Sequence, residues 1–232
     1  MHPLENVIWH ALTTRQAEFA EACGQARRFV REVTSLSAFE EPSDECYESL
    51  IELVGTGGTA ALFLDDPYQH RSVWETIAAA PLLQMVCGNG VASPTCTENA
   101  RLAICELGVE DSPEMIELTD LTRPGPFGPR THELGNFVGI RREGKLVAMS
   151  GQRLKVSGYT EVSAVCTHPA HTGKGYAAVL MMEVMRRVRA RGETPFLHVR
   201  EDNTRAVALY QRLGFRTRKR LHYAVLRNVR AS

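Results

Sequence analysis

The feature that most constrains this chain is a glycine-rich turn, Gly173-Lys174-Gly175, that opens a long helical segment. A strand-like run ends just before Pro169, and from about Gly175 to Ala190 apolar residues recur at helical spacing. The first turn of a helix leaves backbone N–H groups without partners and carries a partial positive charge. Glycines let such a backbone approach an anion closely, so the segment predicts a phosphate or diphosphate site.

Two well-known phosphate-binding motifs do not fit this turn. A P-loop requires the pattern GxxxxGK[ST], which is absent, and Tyr176 follows Gly175 here. The dinucleotide pattern GxGxxG would need a third glycine where Ala178 or Val179 stands, and the preceding strands are predicted to be antiparallel. A simple glycine turn into a helix, without a ligand, remains the alternative.

The order of elements in the C-terminal part predicts a mixed α/β sheet. Helices are predicted at Ser112-Pro113-Glu114 and beyond, at Gly175–Ala190 and at Thr204–Leu213. Strands are predicted at Leu102–Leu107, Asn136–Arg141, Lys145–Leu154, Thr160–Thr167, Phe196–Val199, Phe215–Arg218 and His222–Leu226. Three consecutive antiparallel strands distinguish this order from a doubly wound sheet.

The N-terminal part has a different texture. It predicts helices over Thr13–Phe29 and over Asp44–Val54, the second capped by Ser43 or Asp44. The apolar runs Thr59–Leu64 and Pro81–Cys87 predict buried strands. Turns are expected at Asn89-Gly90 and Ser93-Pro94.

A second segment, His198–Phe215, makes the glycine turn more specific. Taken alone, Asn203 would be a helix cap and Tyr210 a core tyrosine with a hydrogen-bonded hydroxyl. Together the two segments resemble the GNAT acyltransferases, which carry [QR]xxGx[GA] at the head of the central helix and N…A..LY..LGF further on. The second motif is present as Asn203, Ala206, Leu209, Tyr210, Leu213, Gly214 and Phe215. The first is present as Thr172–Ala177 and departs at Thr172, which is neither Gln nor Arg.

The resemblance extends from about Leu102 to the end of the chain and implies a GNAT fold, a mostly antiparallel, splayed sheet flanked by helices. It also implies that acyl-CoA lies in the gap between two diverging strands, and that Asn203 bonds its pantetheine arm. The implied cofactor-binding residues are Val165, Cys166, Thr167, Thr172, Gly173, Lys174, Gly175, Tyr176, Ala177 and Asn203.

In this family an amine attacks the acyl-CoA thioester directly. The resemblance implies that Tyr210 protonates or hydrogen-bonds the leaving thiolate. Glu161 is the first candidate for the base, directly or through a water, and His168 is the second; a solvated strand residue and a turn residue are their alternatives. Cys166 would allow a covalent acyl-enzyme, but no His-Asp partner is evident in the sequence, which favours direct transfer.

The chain is predicted to have two parts, an N-terminal α/β region over residues 1–100 and a GNAT domain over residues 101–232. The C-terminal part is similar to the FR47-like group, and the N-terminal part resembles the degenerate GNAT half of the glycine N-acyltransferase-like proteins. It would wall the acceptor pocket. In the loop Arg123–Glu133, Phe127 is predicted to offer an apolar wall and Arg130 a forked partner for a carboxylate, the alternative being an exposed loop.

Composition restricts the partners. Lys plus Arg and Asp plus Glu both total 27, which argues against a nucleic-acid binder. Neither a signal peptide nor a membrane-length apolar run is present, so a cytoplasmic location without membrane contact is expected. The six cysteines are scattered, with no spacing typical of zinc, so free thiols and no metal are expected.

The sequence therefore predicts an acetyl-CoA-dependent N-acetyltransferase that acts on a small amine or an amino acid. A non-catalytic acyl-CoA sensor or interaction module is the alternative. The oligomeric state stays open, a homodimer included.

Overall fold

The computed structural model describes residues 2–88 and 104–230. The turns predicted at Asn89-Gly90 and Ser93-Pro94, as well as Cys96 and the predicted boundary at residue 100, lie outside these residues. The helices described are α1 (Val7–Thr13), α2 (Asp44–Val54), α3 (Ser112–Thr122), α4 (Tyr176–Ala190) and α5 (Thr204–Arg212). The strands are β1 (Ala20–Cys23), β2 (Ala26–Phe29), β3 (Ser37–Phe39), β4 (Thr59–Leu64), β5 (Trp74–Val86), β6 (Ile104–Leu107), β7 (Phe137–Arg142), β8 (Lys145–Val156), β9 (Tyr159–Thr167), β10 (Thr194–Arg200) and β11 (Arg216–Asn228).

Eight of these strands form one large sheet in the order β4-β11-β5-β10-β9-β8-β7-β6, and β1–β3 form a small sheet of their own. In the large sheet β9 and β10 are parallel, and the other neighbouring pairs are antiparallel. The parallel pair is short, because it covers only Tyr159–Glu161 against Thr194–Phe196. Beyond these residues the two strands diverge, which gives the splayed, mostly antiparallel sheet that the resemblance implied.

The two faces of the large sheet are covered by different helices. On the front face, α4 and α5 pack Leu180, Met181 and Leu213 against the strands, and Leu197 and Val199 of β10 point into this core. On the back face, α1 packs with Phe196 of β10. Helix α3 packs with the edge strands and with Cys166. Residues of one strand alternate between the two cores, as the pleat requires.

The N-terminal part forms the small sheet β1–β3 and also contributes strands to the large sheet. Strand β5 pairs with β10 on one side and with β11 on the other, and β4 pairs with β11 at the edge. A strand from the first part of the chain therefore lies inside the sheet of the second part. Its hydrophobic residues, such as Met85, belong to the same core as α4 and α5.

Two predicted elements are wrong. The helix predicted over Thr13–Phe29 is the end of α1 followed by a hairpin, with Gly24 at a φ of 48° in its turn. Pairing of β2 with β3 and burial of Phe29 override the local helix propensity there. The two strands predicted near the C-terminus are one strand, β11, whose irregularity between Thr217 and Lys219 keeps it paired with β5. The helix Asp44–Val54 and the strand Thr59–Leu64 are confirmed, and the Ser43 hydroxyl accepts from the Cys46 N–H as a cap.

Candidate active site

The gap between β9 and β10 is widened by a bulge in β9. Gly151 pairs with Ser163 and Met149 pairs with Cys166, so Ala164 and Val165 together face the single residue Ser150. Ala164 has a φ of 50°, which is rare for a residue with a side chain. A bulge of this kind bends a strand and redirects its backbone groups. Here it does so at the level where the two strands separate.

The glycine turn lies at the open end of this gap. Gly173 and Gly175 both have a φ of 79°, and Gly175 directly precedes α4 without offering a side chain as a cap. A Cβ built on either glycine would meet nothing within 4 Å, so the space in front of the helix start is open. The first N–H groups of α4 thus point at a space that an anion can enter.

A cavity of about 460 Å³, here called the helix-mouth cavity, extends from this turn to α5. Tyr210 lines it together with all ten predicted cofactor-binding residues, namely Val165, Cys166, Thr167, Thr172, Gly173, Lys174, Gly175, Tyr176, Ala177 and Asn203. The fold thus brings into one cleft two sequence motifs that lie far apart in the chain. Asn203 also caps α5, because its side-chain oxygen accepts from the Ala206 N–H at 3.2 Å.

Sequence reasoning missed three basic residues of this cavity, His171, Arg205 and Arg212. Arg205 and Arg212 are seven residues apart on α5, a spacing that places them on one helix face. That spacing, next to Asn203, was the signal that could have identified them.

Tyr210 and Cys166 are both buried and both line the cavity. Burial raises the pKa of the Tyr210 hydroxyl to about 12, and the neighbouring Cys166 adds to the effect. Burial likewise raises the pKa of the Cys166 thiol to about 12. Both groups therefore keep their protons at neutral pH. A thiol in this state is a poor nucleophile, which argues against an acyl-enzyme on Cys166.

Glu161 is fully buried in an ion-paired cluster. Its carboxylate accepts two hydrogen bonds from the Arg153 guanidinium, at 2.9 and 2.8 Å, and one from Nδ1 of His198 at 2.8 Å. Burial alone would raise the pKa of Glu161, but the charge and hydrogen bonds of Arg153, with a contribution from His198, lower it to about 2. These contacts argue against the predicted role of Glu161 as a base, because so weakly basic a carboxylate has little tendency to take a proton.

The same cluster continues through His198 to the N-terminal part. Nε2 of His198 lies 3.2 Å from Nε2 of Gln84, which also donates to the Leu4 carbonyl. The Gln84 amide oxygen accepts from Arg218 at 2.9 Å, so the amide nitrogen is the donor towards His198. His198 thus bridges the two groups, because its Nδ1 donates to Glu161 and its Nε2 accepts from Gln84.

The second candidate base, His168, caps a turn. Its Nδ1 accepts from the Ala170 N–H at 3.2 Å and so caps the turn that begins at Pro169. It lines a different cavity, with Glu114 and Glu117 of α3, and is not among the residues that line the helix-mouth cavity.

The two predicted acceptor residues, Arg130 and Phe127, have different surroundings. Arg130 makes a forked ion pair with Glu133, both contacts at 2.8 Å, on the protein surface. Phe127 packs edge-on against Phe137 and lines a cavity of about 280 Å³ on the back face. This second cavity, here called the loop cavity, lies between residues 126–128 and the N-terminal part.

Comparison with solved structures identifies the family of this arrangement. A protein of the GNAT acetyltransferase family from Novosphingobium aromaticivorans superposes with a TM-score of 0.87, at 34% identity over 97% of this chain and 98% of that chain. This chain belongs to the GNAT family. The profile of the FR47-like protein family matches residues 137–224, which include β9, the glycine turn and α5.

Other matches are more distant. The fold is shared by a GCN5-related N-acetyltransferase from Kribbella flavida, with a TM-score of 0.59 at 16% identity over 91% of this chain and 90% of that chain. N-alpha-acetyltransferase RimI of Mycobacterium tuberculosis is 36% identical over 85 residues, 34% of this chain and 51% of that protein. The chain spans about half or less of the length of the curated relatives it matches.

Within the described residues, none of the helices combines the length and the apolar character needed to cross a membrane.

Proposed function

We propose that this GNAT protein transfers an acetyl group from acetyl-CoA directly to the primary amine of a small molecule or an amino acid. The observation that carries the proposal is the helix-mouth cavity, because it joins the glycine turn and the buried Tyr210 hydroxyl in one cleft. Family membership supports acyl transfer in general, and the cavity supports acyl-CoA as the donor.

The residues of the cavity fit a diphosphate-bearing donor. The first N–H groups of α4 offer hydrogen bonds, and the helix start adds a partial positive charge. Lys174, Arg205 and Arg212 line the same cavity and add full positive charges. The diphosphate would lie against the glycine turn, and the thioester would extend along β9 towards Tyr210.

The chemistry follows from the protonation states of the site. The amine nitrogen attacks the thioester carbonyl carbon, the carbon–sulfur bond breaks, and the sulfur leaves as a thiolate. An alkyl thiol has a pKa of about 8.5, so Tyr210, with its pKa near 12, stabilises the thiolate by a hydrogen bond and keeps its own proton. The proton that the amine loses passes to water, because Arg153 and His198 already occupy the Glu161 carboxylate.

Thiol release from acetyl-CoA in the presence of a panel of primary amines tests this function, with mass spectrometry of the acetylated product. The variant Tyr210→Phe keeps the ring that packs near Phe215 and removes the hydroxyl. We expect turnover to fall by roughly ten-fold to a thousand-fold, with the acetyl-CoA KM nearly unchanged.

Tyr47→Phe is the matched control, because Tyr47 is similarly buried but belongs to α2 and to a different hydrophobic core. Its turnover is expected to equal that of the parent protein. Equal loss in both variants, or no loss in Tyr210→Phe, would contradict the role of the hydroxyl. Tight binding of acetyl-CoA without thiol release for any amine would favour the sensor alternative.

A further inference from the structure

We propose that the loop cavity binds an anionic group of the acceptor, so that the substrate is an amine that also carries a carboxylate or a phosphate. This inference rests on the proposed acetyl transfer and names the class of acceptor for it. Among the residues that line the cavity are Arg28, Arg31, Thr34, Val54, Thr59 and Phe127.

The loop that borders this cavity begins beside the transfer site. Helix α3 ends at Thr122, and Cys166 of β9 belongs to the hydrophobic cluster beneath this helix. A Cβ built on Gly125 would lie 3.8 Å from Nη1 of Arg153, so the loop crosses the back face above the Glu161 cluster. Residues 126–128 then form one wall of the cavity. The loop thus leads from the bulged strand β9 to the cavity.

The opposite wall lies towards the same end of the large sheet as the open end of the gap between β9 and β10. Arg200, the last residue of β10, pairs with Leu82, and β5 and β11 continue beyond that point. Thr59 at the start of β4 pairs with Arg227 near the far end of β11. Thr59, which lines the cavity, therefore lies at the same end of the strands as the open end of the gap. The cavity lies on the back face, while α4 and α5 cover the front.

The cavity holds donors that are not used within the protein. Arg28 is paired with Glu21 at 2.6 Å. For Arg31, by contrast, no hydrogen-bond or ion-pair partner is found among residues 2–88 and 104–230. Thr34 is only 2% exposed, and its buried hydroxyl has no hydrogen-bond partner among these residues. Buried hydroxyls are nearly always hydrogen-bonded, so this one indicates a missing partner.

An anion satisfies both groups at once. A guanidinium presents a planar fork of donors that fits a carboxylate or a phosphate, and a hydroxyl can donate to the same oxygen atoms. The apolar residues Phe127 and Val54 would contact the carbon skeleton of the acceptor. The cavity replaces Arg130 as the site of anion recognition, because Glu133 already holds that guanidinium.

Paired acceptors that differ only in charge test the proposal. With acetyl-CoA as donor, the rates for α-amino acids are compared with those for the matching amino-acid amides, and the rate for phosphoethanolamine with that for ethanolamine. We expect kcat/KM to be at least ten-fold higher for one of the anionic sets, and the set that gains identifies a carboxylate or a phosphate.

Variants of residues that line the loop cavity then test whether the preference for anionic acceptors arises there. Arg31→Ala is expected to reduce the anion preference by ten-fold or more through the acceptor KM and to leave the acetyl-CoA KM unchanged. Arg31→Lys should restore it in part, because an ammonium group cannot make the forked contact. Thr34→Val should also lower it, whereas Arg216→Ala, which removes an exposed charge at the start of β11, should not.

Equal rates for anionic and neutral acceptors would overturn the proposal and leave acetyl transfer intact. An anion preference that survives in Arg31→Ala would have the same consequence. Absence of acetylation with every amine, charged or neutral, would overturn the inference and the proposed transfer together. The neutral arm of the panel therefore distinguishes the two failures.

Discussion

At the residue scale, Glu161 links neighbouring strands through its side-chain contacts. It is the last residue of β9 that pairs with β10, opposite Phe196, and its carboxylate also accepts from His198, two residues further along β10. Arg153 of β8 supplies the opposing charge. The cluster thus ties three neighbouring strands together where the gap opens. We infer that it positions the two walls of the cleft and does not take part in proton transfer.

This role predicts a large effect on stability for Glu161→Gln. The change leaves the buried Arg153 without a counter-charge, which typically costs about 3–5 kcal/mol of unfolding free energy. Urea denaturation at pH 7 measures the loss. The double variant Arg153→Met/Glu161→Leu is the control and should lose much less, since no buried charge remains unpaired. Normal stability in Glu161→Gln combined with the loss of an ionisation from the pH profile of turnover would instead identify Glu161 as a base.

The difference in unfolding free energy between the parent protein and Glu161→Gln depends on pH with a definite sign. Folding lowers the pKa of Glu161 from 4.5 to about 2, so the stabilisation is fully present above the unfolded value and is lost as the pH falls through the folded one. The stability gap between the parent protein and Glu161→Gln should therefore narrow between pH 4.5 and pH 2. A gap that widens on acidification would contradict the assignment.

At the element scale, the sequence predicted the active-site elements better than the framework around them. The glycine turn, α4 and α5 can be predicted from local signals, because glycines, caps and helical periodicity depend on residues that are close in sequence. The hairpin over residues 20–29 cannot, since its strands are fixed by pairing with β3 and by burial of Phe29. The buried pair of Glu161 and Arg153 was equally invisible, because a strand carboxylate shows its partner only after β8 and β9 are aligned.

At the scale of the whole molecule, the insertion of β5 between β10 and β11 joins the two parts of the chain. The change in sequence pattern near residue 100 predicts a division of the chain there. No signal in the neighbouring residues shows that β5 pairs with β10 and β11. The shared sheet predicts a single cooperative unfolding transition for both parts.

The positions of the tryptophans allow a direct test of this cooperativity. Both of them, Trp9 and Trp74, lie in the N-terminal part, so fluorescence reports on that part, whereas far-UV circular dichroism reports on the whole chain. We expect the two urea transitions to coincide, and saturating CoA to shift both midpoints equally by mass action. Separate transitions, or a CoA-induced shift of the midpoint seen by only one probe, would indicate two independent domains.

The central claim is that the glycine turn at the head of α4 holds the diphosphate of acyl-CoA, and CoA titration by calorimetry on two matched glycine variants tests it most directly. Gly175 and Gly192 have φ values of 79° and 74°, and a Cβ on either would meet nothing within 4 Å. The strain of a leucine is therefore similar at both positions, roughly 1–2 kcal/mol. Only Gly175 lines the helix-mouth cavity, whereas Gly192 follows the far end of α4. We predict that Gly175→Leu abolishes CoA binding and that Gly192→Leu binds CoA as the parent protein does. Unchanged CoA affinity in Gly175→Leu would contradict the account.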